Sequence, residues 1–222
     1  LLADRGIRAS AFINAQVADV YPSLAEAVVA ADWELVGHGW FQQSLKQVDD
    51  EAAVIEQSLA RLEQLSGKRP RAWLGPGMGE SNDTPDLLKA AGIEFLHDWL
   101  VDDLPCWMHT KHGPMVAMPY TFELNDVPLY AVQYDSTDEI VKRVEATLAV
   151  FAEEMKHQPR IMTFGLHPHL IGVPHLAHQF TRVLDILRAR DDTIFMTSSE
   201  IGDWFLAADG TGGESVAAGP PA

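Results

Sequence analysis

The sequence predicts a single α/β domain built on a parallel sheet covered by helices. Three observations carry this. Short apolar runs alternate with longer stretches of helical periodicity, seven such runs can be counted, and no break in composition marks a second domain. With 222 residues and 47% hydrophobic content, the chain can bury one sizeable core.

In chain order, residues 1–6 (LLADRG) read as the last turn of a helix and its glycine stop. On that basis a first strand, expected ahead of them, is missing from the chain. Residues 8–14 (RASAFIN) read as a strand, and 23–31 as a helix with Ser23 and Glu26 spaced as a capping box. Residues 33–37 form the next strand. The helix Glu51–Ser66 puts Ile55, Leu59 and Leu62 on one face and ends at Gly67. A short strand over 71–75 leads into a loop carrying Gly75, Gly77 and Gly79. Thr84-Pro85 opens a helix that Gly92 closes. Residues 93–97 and 115–120 are strand candidates. Residues 136–155 form a long amphipathic helix with Ser136 and Glu139 as a second capping box. A strand over 160–166, a helix over 175–190, a strand over 193–197 and a helix over 199–206 complete the order. The domain is therefore expected to span 1–206. The Gly/Ala/Pro-rich remainder, 207–222, reads as a disordered tail.

Polar residues gather just past the predicted strand ends: Asn14, His38, the glycine loop, Asp98, Asn125-Asp126, His167 and Ser198. A closed barrel and a doubly wound open sheet both place their ligands at that edge, so the pattern leaves both open. No dinucleotide or P-loop signature is present.

Charge narrows the function. With 16 basic and 32 acidic residues the net charge is −16, a surface that repels phosphate backbones, so nucleic acid is not an expected partner. No apolar run reaches membrane-spanning length, and no membrane partner is expected. The one cysteine, Cys106, excludes an internal disulfide framework and a multi-cysteine zinc cluster, and fits a cytoplasmic location.

Among candidate residues, His167 ends the most apolar run, with Pro168 fixing the turn after it. A histidine held there is suited to proton transfer near neutral pH. His38 lies between Gly37 and Gly39 directly after a strand, at a site rim or hydrogen-bonded to a backbone carbonyl. Asp102-Asp103 (DDLPCW) and Asn125-Asp126 (ELNDVP) are acid-rich loops that orient a base or remain solvated surface. His169 and His175 match no zinc spacing. Cys106 has no evident activating base, so nucleophilic catalysis lacks support.

Taken together, GIRASAFIN, YPSLAEAVVAADWELVGHGW, RPRAWLGPG followed by NDTPDLLKAAGIEF, DDLPCW, MPYTFELND and FGLHPHLIGVPH resemble the polysaccharide deacetylase (NodB-homology) superfamily, especially its allantoinase-like branch. The resemblance covers nearly the whole chain. It implies a distorted (β/α) barrel of about seven parallel strands, here without its N-terminal strand, and hydrolysis of a non-peptide carbon–nitrogen bond. Such an open sheet edge invites a further partner, a second copy of the chain included. The implied substrate is a small-molecule amide or an N-acetylated carbohydrate.

His38 falls on the first histidine of the superfamily's His-x-x-x-His metal pair, and His167 on its late general-acid histidine. Gln42 stands where the second metal histidine belongs, and Leu74 where deacetylases carry an arginine. The cofactor expectation is accordingly none or one divalent, zinc-type metal with His38 as a ligand. In this scheme His167, His38 and Asp102 are catalytic. Asp103, Asn125 and Asp126 recognise polar substrate groups, and Trp40 and Trp107 form an aromatic wall. The competing class, motivated by Gln42 and Leu74, is a non-catalytic carbohydrate- or metabolite-binding protein with a degenerate metal site.

Overall fold

A computed structural model of the chain describes residues 1–210 and Gly213. The chain forms two compact units, Pro119–Ile194 being inserted in sequence between Leu2–Met118 and the segment from Phe195 onward. No composition break announced this organisation.

The larger unit holds an open six-stranded sheet in the order β1-β2-β3-β4-β6-β5. Its strands are β1 (Ser10–Ile13), β2 (Glu34–Gly37), β3 (Ala72–Trp73), β4 (Phe95–Leu96), β5 (Cys106–Thr110) and β6 (Gly113–Ala117). All neighbouring pairs are parallel except β5 and β6, an antiparallel hairpin with Cys106 opposite Ala117. The α/β class and a mostly parallel sheet are as expected. About seven parallel strands were expected, and six strands form among the described residues. The DDLPCW segment runs into β5, which local composition had marked as loop.

Side-chain alternation along the strands divides the core between two faces. Trp73, Leu96 and Met115 pack with Ile55, Leu59 and Leu88 on one face. Val36, Phe95 and Val116 pack with Ile201 and Phe205 on the other. Gly37 has to be glycine because a Cβ there would run into the Trp73 ring.

Helices α1 (Val17–Val20) and α2 (Pro22–Ala30) follow β1. Pro22 starts α2 one residue before Ser23 and Tyr21 is its cap, so the predicted Ser23–Glu26 box does not form. Helix α3 (Glu51–Ser66) matches its predicted span. The Asp50 carboxylate accepts from the Ala53 N–H at 2.9 Å, and Gly67 ends the helix at φ 74°. Helix α4 (Thr84–Ala90) leads through Gly92, at φ 94°, into β4.

The inserted unit opens with a turn over Val127–Val132 bonded in the π manner, the Gln133 N–H reaching the Pro128 carbonyl. It continues with α5 (Glu139–Glu154), α6 (Pro168–Ile171) and α7 (Pro174–Arg188). Ser136 does not cap α5, because its hydroxyl donates to Asp138 at 2.7 Å. The predicted strand over 160–166 contributes one bridge, Asn125 beside Gly165.

The chain then returns to the larger unit. Residues 193–197 form no strand; Thr197 instead caps α8 (Ser198–Asp209) in a box with Glu200. That helix extends through Asp209, three residues past the predicted Leu206. The rest of the expected tail, Gly210 and Gly213 apart, lies outside the described residues. No helix among the described residues is long and apolar enough to cross a membrane.

Candidate active site

Two clusters carry the predicted residues, one in each unit. In the inserted unit the chain crosses itself at the Asn125–Gly165 bridge, with the Asp126 N–H on the Gly165 carbonyl at 3.0 Å. This crossing sets Asp126 beside His167. The Asp126 carboxylate is fully buried and accepts three hydrogen bonds. They come from the His167 N–H at 2.6 Å, the His167 ring Nδ1 at 2.6 Å and the Ile171 N–H at 3.3 Å. Because an ionised carboxylate can only accept, the proton of the neutral imidazole sits on Nδ1, leaving Nε2 for proton transfer. The His167 side chain is 41% exposed and its ring meets His169 edge-on at 5.9 Å. Tyr130, Tyr134, Asp135, His169 and His175 line a depression of about 300 Å³ in this unit.

This geometry corrects one role. Asp126 was expected to recognise substrate, but a fully buried carboxylate committed to three donors is an orienting group for His167. Asn125 is also buried. Its amide donates to the Tyr120 hydroxyl at 3.2 Å and its carbonyl accepts from the Val127 N–H at 3.0 Å, so it shapes the crossing.

In the larger unit, β2, β3 and β4 deliver His38, Leu74 and Asp98 to the same sheet edge. His38 Nδ1 bonds the Leu74 carbonyl at 2.5 Å, and the Asn14 amide donates to the His38 carbonyl. A carbonyl only accepts, so Nδ1 carries the proton and Nε2 is the ring's acceptor nitrogen. Gln42 is exposed. Among the described residues no group of three or more His, Cys, Asp or Glu could hold a metal ion. The residues present therefore do not fit a three-ligand catalytic zinc centre with His38.

The remaining candidates take other places. Asp102 is exposed and accepts from the Leu104 N–H at 3.1 Å, and Asp103 is exposed. Trp40 packs against the core beside Ile13 and Leu35. Trp107 sits in β5, tilted against Phe205 at 5.6 Å with its N–H on Asp209, so it is a core-edge side chain. Burial and Asp102 push the Cys106 thiol up.

Two acids at this sheet edge carry no site role in the sequence reading, Asp98 figuring there only among the polar residues past the strand ends. Asp98 accepts the Gly75 N–H at 2.7 Å, and burial, followed by Glu80, holds its carboxyl well above the usual carboxylate range. Glu80 accepts the Trp99 indole N–H at 3.0 Å, and burial raises it too. The only sign in the sequence was position: Asp98 follows a strand and Glu80 ends the glycine loop.

Comparison with known proteins shows what the chain is similar to. Residues 1–96 match the family model for polysaccharide deacetylase. A Schizosaccharomyces pombe protein named "Putative polysaccharide deacetylase" is 24% identical over an alignment of 213 positions that covers 86% of this chain and 66% of that protein. This chain thus spans a little under two thirds of that relative's length. Puue allantoinase superposes with a TM-score of 0.84 at 24% identity, over 92% of this chain and 69% of its own. A probable polysaccharide deacetylase from Pseudomonas aeruginosa PAO1 gives 0.85 at 24% identity, over 93% and 70%. A CE4 family pseudoenzyme from Bacillus anthracis gives 0.60 at 11% identity, over 90% and 57%. At such identities the structures establish a shared fold, and the resemblance read from the sequence holds.

Proposed function

We propose, from a chain whose first 96 residues carry the polysaccharide deacetylase signature, that the protein hydrolyses a carbon–nitrogen bond of a small-molecule amide or an N-acetylated carbohydrate. The observation that carries this is the Asp126–His167 pair. Asp126 fixes the ring and its tautomer, and Nε2 takes a proton from the attacking water as the oxygen–carbon bond forms. The imidazolium, stabilised by Asp126, returns that proton to the departing nitrogen as the carbon–nitrogen bond breaks. The products are a carboxylic acid and an amine. His38 would orient water or substrate at its own place in the larger unit, the end of β2. A cytoplasmic location and self-association belong to the same proposal.

A second reading, a non-catalytic binder of sugars or metabolites, is favoured by the exposed Gln42 and by the lack, among the described residues, of three ligands grouped around a metal position. The test is incubation of the protein with allantoin, a panel of cyclic imides and N-acetylated oligosaccharides, with and without chelator. Turnover of any of them, lost in His167→Ala, supports the hydrolase. Binding without turnover in metal-replete buffer favours the second reading. Turnover abolished by chelation overturns the metal-free scheme.

A further inference from the structure

We propose that Glu80 and Asp98 share a single proton and through it position the Leu74–Gly75 peptide on which His38 is anchored. Each carboxyl uses one oxygen on a protein donor: Asp98 Oδ1 on the Gly75 N–H, Glu80 Oε2 on the Trp99 indole. The other two oxygens, Asp98 Oδ2 and Glu80 Oε1, are sealed from solvent and no donor reaches them. Because Trp99, the next residue in the chain after Asp98, bonds Glu80, the two carboxyls are held in the same small region, and each perturbs the other's charge. Two ionised carboxylates cannot donate to each other, and their charges would repel in a dry setting. One proton between them satisfies both orphaned oxygens at once.

The approach is built tightly, since a Cβ at Gly75 would come within 3.2 Å of Asp98 Oδ2. The Gly75 N–H held by Asp98 belongs to the same peptide as the Leu74 carbonyl that receives His38 Nδ1. Glu51 from α3 and Lys46 also face Glu80, with opposite effects on its charge. Loss of the shared proton would set two negative charges against each other and loosen that peptide, and with it the His38 ring. Glu80 and Asp98 are thus positioning residues. Their effect on turnover rests on the function proposed above, whereas the proton itself does not.

The sign of the pH effect follows from carboxyls that titrate above their unfolded values. The pair stabilises the fold at low pH, and that stabilisation fades as pH rises past the ordinary carboxylate range. The experiment is thermal melting of the full chain against pH, alongside Trp99 fluorescence, for wild type, Glu80→Gln and Asp98→Asn. In either variant an amide donor replaces the shared proton. Wild type is expected to lose roughly 3 °C or more between about pH 5 and pH 9 beyond any loss in the variants. Parallel wild-type and variant profiles would overturn the proposal. So would a chelator-dependent drop confined to wild type, because a cation would then bridge the carboxyls. If a variant does not fold, carbon-13 NMR titration of the wild-type carboxyls decides: two ordinary carboxylate titrations overturn the shared proton. An altered melting profile without turnover of any substrate upholds the pair and counts against the hydrolase. Turnover with parallel profiles does the reverse.

Discussion

Asp126 holds His167 at two points, the backbone N–H and ring Nδ1, each at 2.6 Å. The double attachment fixes the ring's position and tautomer together. Both residues lie in the inserted unit, where the Asn125–Gly165 bridge brings them together. A carboxylate with no solvent exposure and three donors is fully committed, so its contribution to chemistry passes through the histidine.

Removing the ring should remove the proton relay. His167→Ala is expected to lower kcat by about a hundredfold or more while the melting temperature changes little, because the side chain is 41% exposed. Steady-state kinetics on whichever amide is turned over checks this. Retention of activity within about tenfold would rule the relay out.

Asp126→Asn is a subtler change with a larger lesson. The amide oxygen can still accept the His167 and Ile171 N–H groups, but the amide nitrogen now donates towards Nδ1. The ring proton should move to Nε2, leaving no acceptor there for water. Activity should fall by roughly a hundred- to ten-thousandfold, and nitrogen-15 spectra of the ring should report the switched tautomer. An unchanged tautomer with full activity would show that Asp126 is structural only.

Much of this architecture is legible in the sequence, and what is not has physical causes. Helix α3 was read to the residue because the Ile55–Leu59–Leu62 stripe and Gly67 both report on local backbone chemistry, while its Asp50 cap shows only in the structure. His167 stands out as a candidate because Pro168 and the apolar run before it are local too. The capping boxes at Ser23 and Ser136 failed because Pro22 and Asp138 compete for the same backbone and side-chain positions. Residues 160–166 have the composition of a strand, yet pairing is a tertiary event, and only Gly165 is given a partner. Asp98 is legible only as a polar residue past a strand end, and its pairing with Glu80 is not, because a buried acid pair arises from the meeting of a loop and a strand end apart in sequence. Nothing in either segment records the other.

The capping box that did form, Thr197 with Glu200, gives a pH-dependent prediction. The Thr197 N–H donates to the Glu200 carboxylate at 2.7 Å, and this bond, with Arg8 nearby, holds Glu200 below the usual carboxylate range. A depressed folded pKa means the stabilisation is present at neutral pH and is lost as pH falls through the folded value. Glu200→Ala should cost about 1 kcal/mol at neutral pH, a drop of roughly 2–4 °C in Tm, with the gap closing in acid. Melting curves at neutral and acidic pH measure it, and a gap that widens in acid would count against the cap.

Gly165 joins packing to chemistry most directly. A Cβ at this position would lie 2.5 Å from Asn125 Nδ2 and 3.1 Å from the Tyr120 hydroxyl. The Asn125 amide cannot swing away freely, because it is buried and bonded to Tyr120 and Val127. Gly165→Ala should therefore force the crossing apart, at a cost of about 1–3 kcal/mol. The same strain acts on the Asp126 N–H, which bonds the Gly165 carbonyl, and hence on the carboxylate that orients His167. Activity should fall further than the loss of folded protein explains. The decisive comparison is kcat per folded molecule for Gly165→Ala alone and combined with Asn125→Gly, which opens the space the new methyl needs. Restored stability without restored kcat would show that Asn125 orients Asp126 in its own right. Recovery of both would trace the defect to the overlap with Asn125 alone. A melting temperature unchanged in Gly165→Ala would mean that the crossing is looser than its contacts require.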